Sequence, residues 1–362
     1  MGVKLKGYQP LCLIDNKVLL YKKGKFIIYD EKNDSFQEVL HFETSNIKKI
    51  LESSRLLSRI FRTDIRCALA LNNEELLVLL NKALYYASLT KKNVQKIFEM
   101  REGFTNPLNL CRPLKEESNC VALFGDYGNN ANNQSVSIYG VKSDLTVQIL
   151  HTFPSNTIRH IHNIICDEIN NGYYIFTGDN EEKAGIYWID KKFSKIEPIL
   201  IGKQNARAVC GFVTDKGLLY ATDSVTEQNY IYLLTQKNSE PSLQVIEKIN
   251  GSCIYATEYC GGYVFSTTVE SGESNGRRFS SLLSMKRGKG IISDEVHLIH
   301  ISRKLKSDII ESFKKDKLPY KLFQYGAVRF PTGLENSDKL IIYPCAIKGL
   351  DGYTILKNVG GK

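Results

Sequence analysis

Residues 157–190 read TIRHIHNIICDEINNGYYIFTGDNEEKAGIYWID, and the alternation of apolar and polar segments is clearest here. Its apolar runs His162–Cys166, Tyr173–Thr177 and Gly185–Ile189 are separated by short segments rich in Asn, Asp, Glu and Gly. Short runs of aromatic and β-branched residues bounded by turn-forming residues are typical of β-strands. Together with Ile196–Ile201, which follows, the stretch predicts a unit of four consecutive strands.

The same order of apolar runs and turns returns along the chain every 40 to 55 residues or so, which indicates a repeat architecture. The two units after residue 201 contain the runs Ala206–Val213, Gly217–Thr222, Tyr230–Leu234 and Leu243–Ile249, then Ser252–Tyr259, Tyr263–Thr268, Phe279–Met285 and Val296–Ile301. Less regular units span Leu11–Phe42, Ala68–Met100 and Leu108–Phe153, and a seventh begins at Leu322.

Four-stranded units of this length, repeated in a ring, form a β-propeller, in which each sheet packs on its neighbours. We therefore predict one all-β domain over residues 1–362 with seven blades, six or eight being the alternatives. The last unit ends one strand short. We expect the N-terminal segment Val3–Tyr8 (VKLKGY) to supply the missing strand and close the ring.

Two segments depart from the strand pattern and predict short connecting helices. Ser45–Arg62 carries Ile and Leu residues at helical spacing, with Ser45 placed to cap the N-terminus. Ser307–Asp316 has a similar spacing and is followed by Pro319, a residue that stops helices. We predict one helix between the first two blades and one between the last two.

Composition limits the class of protein. The 362 residues carry a net charge of +9, which favours acidic partners or a well-solvated basic surface. The nine cysteines include no C-x-x-C pair, so neither a disulfide framework nor a zinc ribbon is predicted, and we expect a reducing cytoplasm. No apolar run is long enough to insert into a membrane. No P-loop, dinucleotide-binding or nucleic-acid motif occurs, and the sequence leaves the oligomeric state open.

Polar residues collect at two positions of the repeat. In a propeller, the loop after each second strand and the segment entering each inner strand lie at the same mouth of the ring. Second strands of four successive units end in FGDY, TGDN, ATDS and TVES, which gives that mouth Asp126, Asp179, Asp223 and Glu270. Segments that enter inner strands add Arg159, His160, His162, Asn205 and Arg207, and Glu227 lies in the loop after Asp223.

Two chemical interpretations of this cluster remain open. His160 and His162 are two residues apart and so share one side of a strand; with Asp179 or Asp223 they suit a divalent ion such as zinc, manganese, iron or calcium. Alternatively, a histidine acts as a general base, and carboxylates such as Asp179 and Glu270 orient it or act as acids. In either case arginines, an asparagine and carboxylates bind the substrate: Arg159, Arg207, Asn205, Asp126 and Glu227. A purely structural alternative is that each Asp caps its own turn.

The pattern of strand-rich units with polar residues at one mouth resembles the carbohydrate-active β-propellers, which include sialidase-like glycosidases and propeller polysaccharide lyases. The segment GIYWIDKKFSKIE, with Trp188 and Asp190, is similar to the sialidase-type Asp box, although it lacks the Ser, the Gly and the final Trp. A sialidase resemblance implies an arginine triad, a nucleophilic Tyr and an acidic Asp, for which the sequence offers Arg159 and Arg207. A resemblance to lyases of the oligogalacturonate type implies histidine ligands to a metal and a basic residue for proton abstraction.

The sequence therefore predicts a propeller that binds, and in one version cleaves, an anionic glycan or other small anionic ligand at one mouth. As an enzyme it would be a glycoside hydrolase or a polysaccharide lyase. The alternative is a non-catalytic propeller scaffold that binds another protein, in which case the histidines and carboxylates are separately satisfied turn residues.

Overall fold

A computed structural model describes residues 2–43, 45–114, 119–237, 240–272, 282–334 and 339–358. Seven small antiparallel sheets follow one another along the chain. The inner strands of successive sheets contact one another, and the first sheet contacts the last, so the sheets close into a ring. The prediction of a seven-bladed β-propeller is confirmed.

Blades 1, 2, 4 and 5 each contain four strands that pair in chain order from the centre of the ring outward. Their strands are β2 Gln9–Ile14, β3 Lys17–Lys22, β4 Lys25–Asp30, β5 Ser35–His41; β6 Cys67–Ala70, β7 Glu75–Leu80, β8 Ala83–Ser88, β9 Asn93–Glu99; β13 His160–Asp167, β14 Gly172–Gly178, β15 Gly185–Asp190, β16 Ile196–Ile201; and β17 Ala208–Thr214, β18 Gly217–Thr222, β19 Asn229–Lys237, β20 Glu240–Ile249.

Blade 3 has a reduced inner strand. Its regular strands are β10 Cys120–Gly125, β11 Val136–Lys142 and β12 Val147–Phe153. The inner position is taken by Cys111, which pairs with Leu123 through backbone hydrogen bonds of 2.9 and 2.8 Å. The second strand still ends at Gly125, so Asp126 keeps the place that the repeat predicts for it.

Blade 7 joins the two ends of the chain. It contains β25 Ala327–Arg329, β26 Lys339–Cys345 and β27 Tyr353–Asn358. Strand β1, Val3–Lys6, is its outermost strand and runs antiparallel to β27.

Blade 6 differs from the prediction. It consists of β21 Cys253–Tyr259, β22 Gly262–Thr267, β23 Glu295–Ser302 and β24 Ser307–Lys314. The helix predicted over Ser307–Asp316 is therefore wrong, because this segment pairs with β23 as the outer strand. Of the third strand predicted at Phe279–Met285, residues 279–281 lie outside the described part of the chain and residues 282–285 form no strand. An outer strand has one solvent-exposed edge, so its apolar spacing discriminates poorly between strand and helix.

The described residues form three short helices: α1 Asn46–Ser53, α2 Arg55–Phe61 and α3 Tyr320–Phe323. The first predicted helix is thus split at Ser54, whose backbone is extended, with φ −119° and ψ 130°. Ser45 caps α1 as predicted, its hydroxyl accepting a hydrogen bond of 3.2 Å from the Lys48 amide. None of the helices in these ranges has the length and apolarity needed to cross a bilayer.

Packing between blades explains why the repeat is visible in the sequence. The second strands of the blades are covered on both faces, so β7, β14, β18 and β22 are buried along almost their whole length. Such strands consist of nearly continuous apolar residues. In the segment that resembles an Asp box, Asp190 caps the turn between β15 and β16 by accepting hydrogen bonds of 2.8 and 2.6 Å from the amides of Ser194 and Lys195. That carboxylate has a structural role.

Candidate functional site

Two buried histidines open the inner strand of blade 4. His160 and His162 are 2% and 3% exposed, and their ring centres lie 4.8 Å apart. The pairing of β13 with β14 shifts by one residue between Ile161 and Asn163, which is a β-bulge at His162. A bulge re-aims the side chain at its position, and it leaves both imidazoles at the same mouth.

Each imidazole is oriented by a backbone carbonyl of a neighbouring blade. His160 Nδ1 lies 2.6 Å from the carbonyl oxygen of Gly128 in blade 3, and His162 Nδ1 lies 2.8 Å from that of Ala208 in blade 5. A carbonyl oxygen can only accept a hydrogen bond, so both Nδ1 atoms must carry the proton. In the neutral imidazole, each Nε2 atom then presents a lone pair.

The two Nε2 atoms point at a single carboxylate. Asp179, directly after β14, places Oδ1 3.2 Å from His162 Nε2 and 3.6 Å from His160 Nε2. The preceding Gly178 is required for this approach, since a Cβ atom there would lie 2.2 Å from Cε1 of His162. Predicted ligands from two strands therefore converge, with all three ligand atoms within 4.8 Å of one another.

The two Nε2 atoms and Oδ1 of Asp179 are hydrogen-bond acceptors, and of these the carboxylate oxygen is contacted by the guanidinium of Arg207. Within the described residues, Nε2 of His160 is buried and has no hydrogen-bond partner. Two nitrogen lone pairs and a carboxylate oxygen require either a proton or a metal ion between them. If two ligand atoms each lay ~2.1 Å from one tetrahedral ion, they would be about 3.4 Å apart. The distances from Oδ1 of Asp179 to the two Nε2 atoms, 3.2 and 3.6 Å, are close to this value. Histidine ligands held through Nδ1 by a backbone carbonyl are the usual arrangement in metal sites.

Arg207 and Asp223 extend the cluster into blade 5. Nη2 of Arg207 lies 3.3 Å from Oδ1 of Asp179 and 3.4 Å from Oδ2 of Asp223, and its Nη1 donates to the Asp179 carbonyl at 3.1 Å. The side chains of Arg207 and Asp223 are 14% and 8% exposed, whereas Asp179 is 36% exposed and faces the mouth. Arg207 therefore links the carboxylates of two adjacent blades.

Burial and neighbouring charges shift the pKa values of these groups in different directions. Burial raises the pKa of the Asp179 carboxyl, but His160 and His162 in their protonated form donate hydrogen bonds to it and lower the pKa by more, so it lies far below the usual range. Burial lowers the pKa of His162, which favours the neutral imidazole. Burial raises the pKa of Asp223 to about 8, although Arg207 opposes the change. The site thus pairs an ionised carboxylate with a protonated one at neutral pH.

Three other predicted residues lie at the same mouth with different partners. Glu270 accepts hydrogen bonds from the hydroxyls of Ser252 and Thr268, at 2.6 and 2.5 Å, and its charge helps to raise the pKa of Asp223. Asn205 precedes β17, and its Oδ1 atom is buried without a hydrogen-bond partner within the described ranges. Glu227 has an exposed side chain in the loop between β18 and β19.

Asp126 and Arg159 do not join the histidine cluster. Asp126 is 3% exposed, and its Oδ2 atom accepts hydrogen bonds from Arg101, at 2.5 and 3.1 Å, and from the Ser137 amide. Arg159 is half-buried at the rim and donates to the side chains of Asn129 and Asn180 at 2.5 and 3.2 Å. These contacts give Asp126 a structural role and leave Arg159 beside the mouth.

A second group of residues lies in the channel; the sequence indicated Tyr127 and Tyr255 as strand-end tyrosines that stack on a sugar ring or cap a blade edge, but it did not indicate the other members. Tyr127 packs against His160, with ring centres 4.7 Å apart. Further around the ring lie arginines and tyrosines whose charges influence one another: Arg66, Arg329, Tyr255 and Tyr325. Arg66 directly precedes β6, so the rule that located His160 in blade 4 would have found it in blade 2.

No protein-family model matches the chain, and no curated protein is significantly similar to it in sequence. Solved structures are similar in fold at very low identity. Oligogalacturonate lyase from Vibrio parahaemolyticus aligns with a TM-score of 0.61 and 9% identity over 98% of this chain and 91% of that one. An oligogalacturonate lyase in complex with manganese gives a TM-score of 0.58 at 7% identity, covering 98% and 89% of the two chains. The WD40 β-propeller domain of Doa1 gives 0.57 at 9% identity, covering 99% and 96%.

These likenesses show the fold. The neighbours include both a carbohydrate-active propeller and a WD40 propeller, and propellers of one architecture carry unrelated activities. Function must therefore be argued from the residues at the mouth.

Proposed function

We propose that the chain binds an anionic glycan at this mouth and holds a divalent metal ion through His160, His162 and Asp179. The observation that carries the proposal is the convergence of two Nε2 lone pairs and a carboxylate oxygen within 4.8 Å. Imidazole nitrogen suits zinc and carboxylate oxygen suits manganese, and this ligand set contains both kinds of atom. The oligogalacturonate lyase described with manganese supports this assignment by analogy of fold.

The chain's own residues supply the other parts of a glycan site. Arg207 directs its guanidinium between Asp179 and Asp223 and can attract an anionic group of the ligand. Asp223, protonated at neutral pH, can donate a hydrogen bond or a proton. A bound divalent ion would supply positive charge to polarise an oxygen of the ligand. These groups suit a lyase or a hydrolase, and cleavage is assayed with oligogalacturonate as the first substrate.

The metal centre is tested by isothermal titration of manganese into chelator-treated protein that was purified without a histidine tag. We expect one ion per chain for the wild type and none for His162→Ala. The matched control is His151→Ala, because His151 lies on the outer strand β12, away from the mouth. An His162→Ala variant that folds and still binds one ion with unchanged affinity would contradict the proposal.

A second function is favoured by a separate observation on α1 and α2. Four large apolar side chains of these helices are strongly exposed, namely Ile47 at 71%, Ile50 at 63%, Leu56 at 50% and Phe61 at 57%. Exposed apolar patches often mark protein-binding surfaces, which is the scaffold alternative. In that case Ile47→Ser with Ile50→Ser abolishes binding of a protein partner, whereas His162→Ala leaves it intact.

A further inference from the structure

We propose that Arg66, Arg329 and Tyr255 form a carboxylate-binding subsite in the channel, across the ring from the histidines. The inference rests on the proposed function in one respect, because it takes the carboxylate to belong to a sugar acid. Neither the metal ligands nor Arg207 takes part in it. The mouth would then contain two binding places, one for a metal ion and one for an anion.

The three residues come from the inner strands of blades 2, 6 and 7 and so line one wall of the channel. Arg66 directly precedes β6, Tyr255 lies within β21, and Arg329 ends β25. The guanidinium carbon of Arg329 lies 5.8 Å from the centre of the Tyr255 ring. Tyr255 also lines a cavity of about 690 Å³, together with residues further along the inner strands such as Thr257.

The positive charge of this wall is incompletely neutralised. In the described part of the chain, the guanidinium of Arg66 forms no hydrogen bond and no ion pair, and Nε of Arg329 is buried without a hydrogen-bond partner. Arg329 has one acidic neighbour, Asp64, whose Oδ2 lies 3.6 Å from Nη1. Asp64 is also the partner of Arg55, at 2.9 Å. One carboxylate therefore serves two arginines, and Arg66 adds a further positive charge.

Tyr255 supplies a donor in the same place. Its hydroxyl is buried, and the neighbouring group that interacts with it is the phenol of Tyr325. Burial raises the pKa of Tyr255, but the charges of Arg329 and Arg66, together with a hydrogen bond from Tyr325, lower it by more. The hydroxyl thus lies in a field that favours negative charge. A carboxylate can accept hydrogen bonds from a guanidinium and from a phenol at once, which satisfies these groups together.

A compact anion of single charge fits this wall best. The charge of Glu270 influences the pKa of Tyr325, beside the proposed subsite, and that of Arg207, beside the histidines. The same negative charge would repel a doubly charged group such as a phosphate ester more strongly than a carboxylate. A planar carboxylate matches the fork of an arginine side chain. The aromatic faces of Tyr255 and Tyr325 offer apolar contact for the ring that carries the carboxylate.

The test compares D-galacturonate with D-galactose, which lacks the carboxylate, as ligands of the full chain by isothermal titration in chelator. The wild type is expected to bind the acid more tightly. Arg66→Gln should weaken binding of the acid by about tenfold or more and leave galactose unchanged, because a charge-assisted hydrogen bond is lost. Tyr255→Phe should cause a smaller loss in the same direction. Arg303→Gln, which removes an exposed arginine from the turn between β23 and β24, is the control.

The outcomes separate this inference from the metal centre. Equal affinity of the wild type for the acid and the neutral sugar, or an unchanged affinity of a folded Arg66→Gln variant, would overturn the subsite. Arg66 pairs with no side chain in the described residues, so we expect its replacement to leave the melting temperature unchanged, and measuring that temperature separates loss of binding from unfolding. Preference for the acid in chelator, combined with failure to bind manganese, would overturn the metal centre and support the subsite.

Discussion

Gly178→Ala should disable the metal centre without unfolding the protein. A Cβ atom added to Gly178 would lie 2.2 Å from Cε1 and 2.7 Å from Nε2 of His162. Non-bonded carbon atoms need about 3.5 Å, so the imidazole must move by about 1.3 Å. Metal–ligand distances vary by only about 0.2 Å, and the moved Nε2 atom no longer shares an ion with Asp179. We expect manganese affinity to fall by about 10- to 100-fold, which is the usual loss when the orientation of a metal ligand is disturbed.

The assay is isothermal titration of manganese, with circular dichroism to establish that the variant is folded. Gly202→Ala is the matched control, since Gly202 lies in the segment between blades 4 and 5 and a Cβ atom there would meet nothing within 4 Å. Gly202 has a φ of +76°, so this control carries some backbone strain and tests whether replacing a glycine is itself harmful. A folded Gly178→Ala variant with wild-type affinity would refute the reasoning, because His162 could then not be a ligand in the orientation described.

Two further predictions concern stability. Arg59 of α2 is 2% exposed and pairs with Asp316 at 2.5 Å and Asp351 at 3.4 Å, so Arg59→Met breaks buried ion pairs at a cost of about 3 to 5 kcal/mol. We expect a cost of about 3 kcal/mol, because Asp316 still pairs with Lys315 and Asp351 still pairs with Arg55. At an unfolding entropy of ~2.1 cal/mol/K per residue, a loss of about 3 kcal/mol lowers the melting temperature by about 4 °C. Arg62→Met, at an exposed position, should change the melting temperature by less than about 1 °C, and equal effects would contradict the prediction. The pKa of Asp223 is about 8 in the folded state and about 4 in the unfolded state. Between these values the folded state keeps a proton that the unfolded state releases, so the free energy of unfolding falls as the pH rises from about 4 to 8. In urea denaturation with chelator present, Asp223→Asn should lose less stability than the wild type over this range, and parallel profiles would rule out the raised pKa.

The blade pattern could be predicted because of the second strands. Strands such as β7 and β14 are buried on both faces, and their continuous apolar residues make the repeat visible without an alignment. The outer strand β24 could not be assigned in this way. Ile309 and Ile310 are 54% and 38% exposed while Phe313 is buried, a spacing that also fits one face of a helix. Only its pairing with β23 distinguishes the two states.

The site could be predicted in part because propeller connections return to fixed places. That rule brought His160, His162 and Asp179 to one point in space from two segments of the sequence. It placed Asp126 correctly along its strand, yet that carboxylate is occupied by Arg101, which enters from blade 2. Side-chain partners from a neighbouring blade follow no local sequence pattern, so a shared position does not imply a shared role.

Arg66 and Arg329 were missed for a related reason. Their blades are the less regular units, in which Arg66 follows the split helical segment and β25 is only three residues long. Inner strands this short give little periodicity to read. Residues that enter an inner strand lie at the mouth in irregular blades as well as in regular ones. Examining that position in every blade therefore finds Arg66 as well as the histidines.

The proposed metal site depends on the ring rather than on the HxH sequence alone. A pair of histidines on a strand is uninformative until the proton positions are known, and these are fixed by the carbonyls of Gly128 and Ala208. Those carbonyls come from the blades on either side, so three consecutive blades together direct both Nε2 lone pairs toward Asp179. Any change that separates blade 4 from blade 3 or blade 5 should therefore weaken metal binding even when all three ligands remain in the chain.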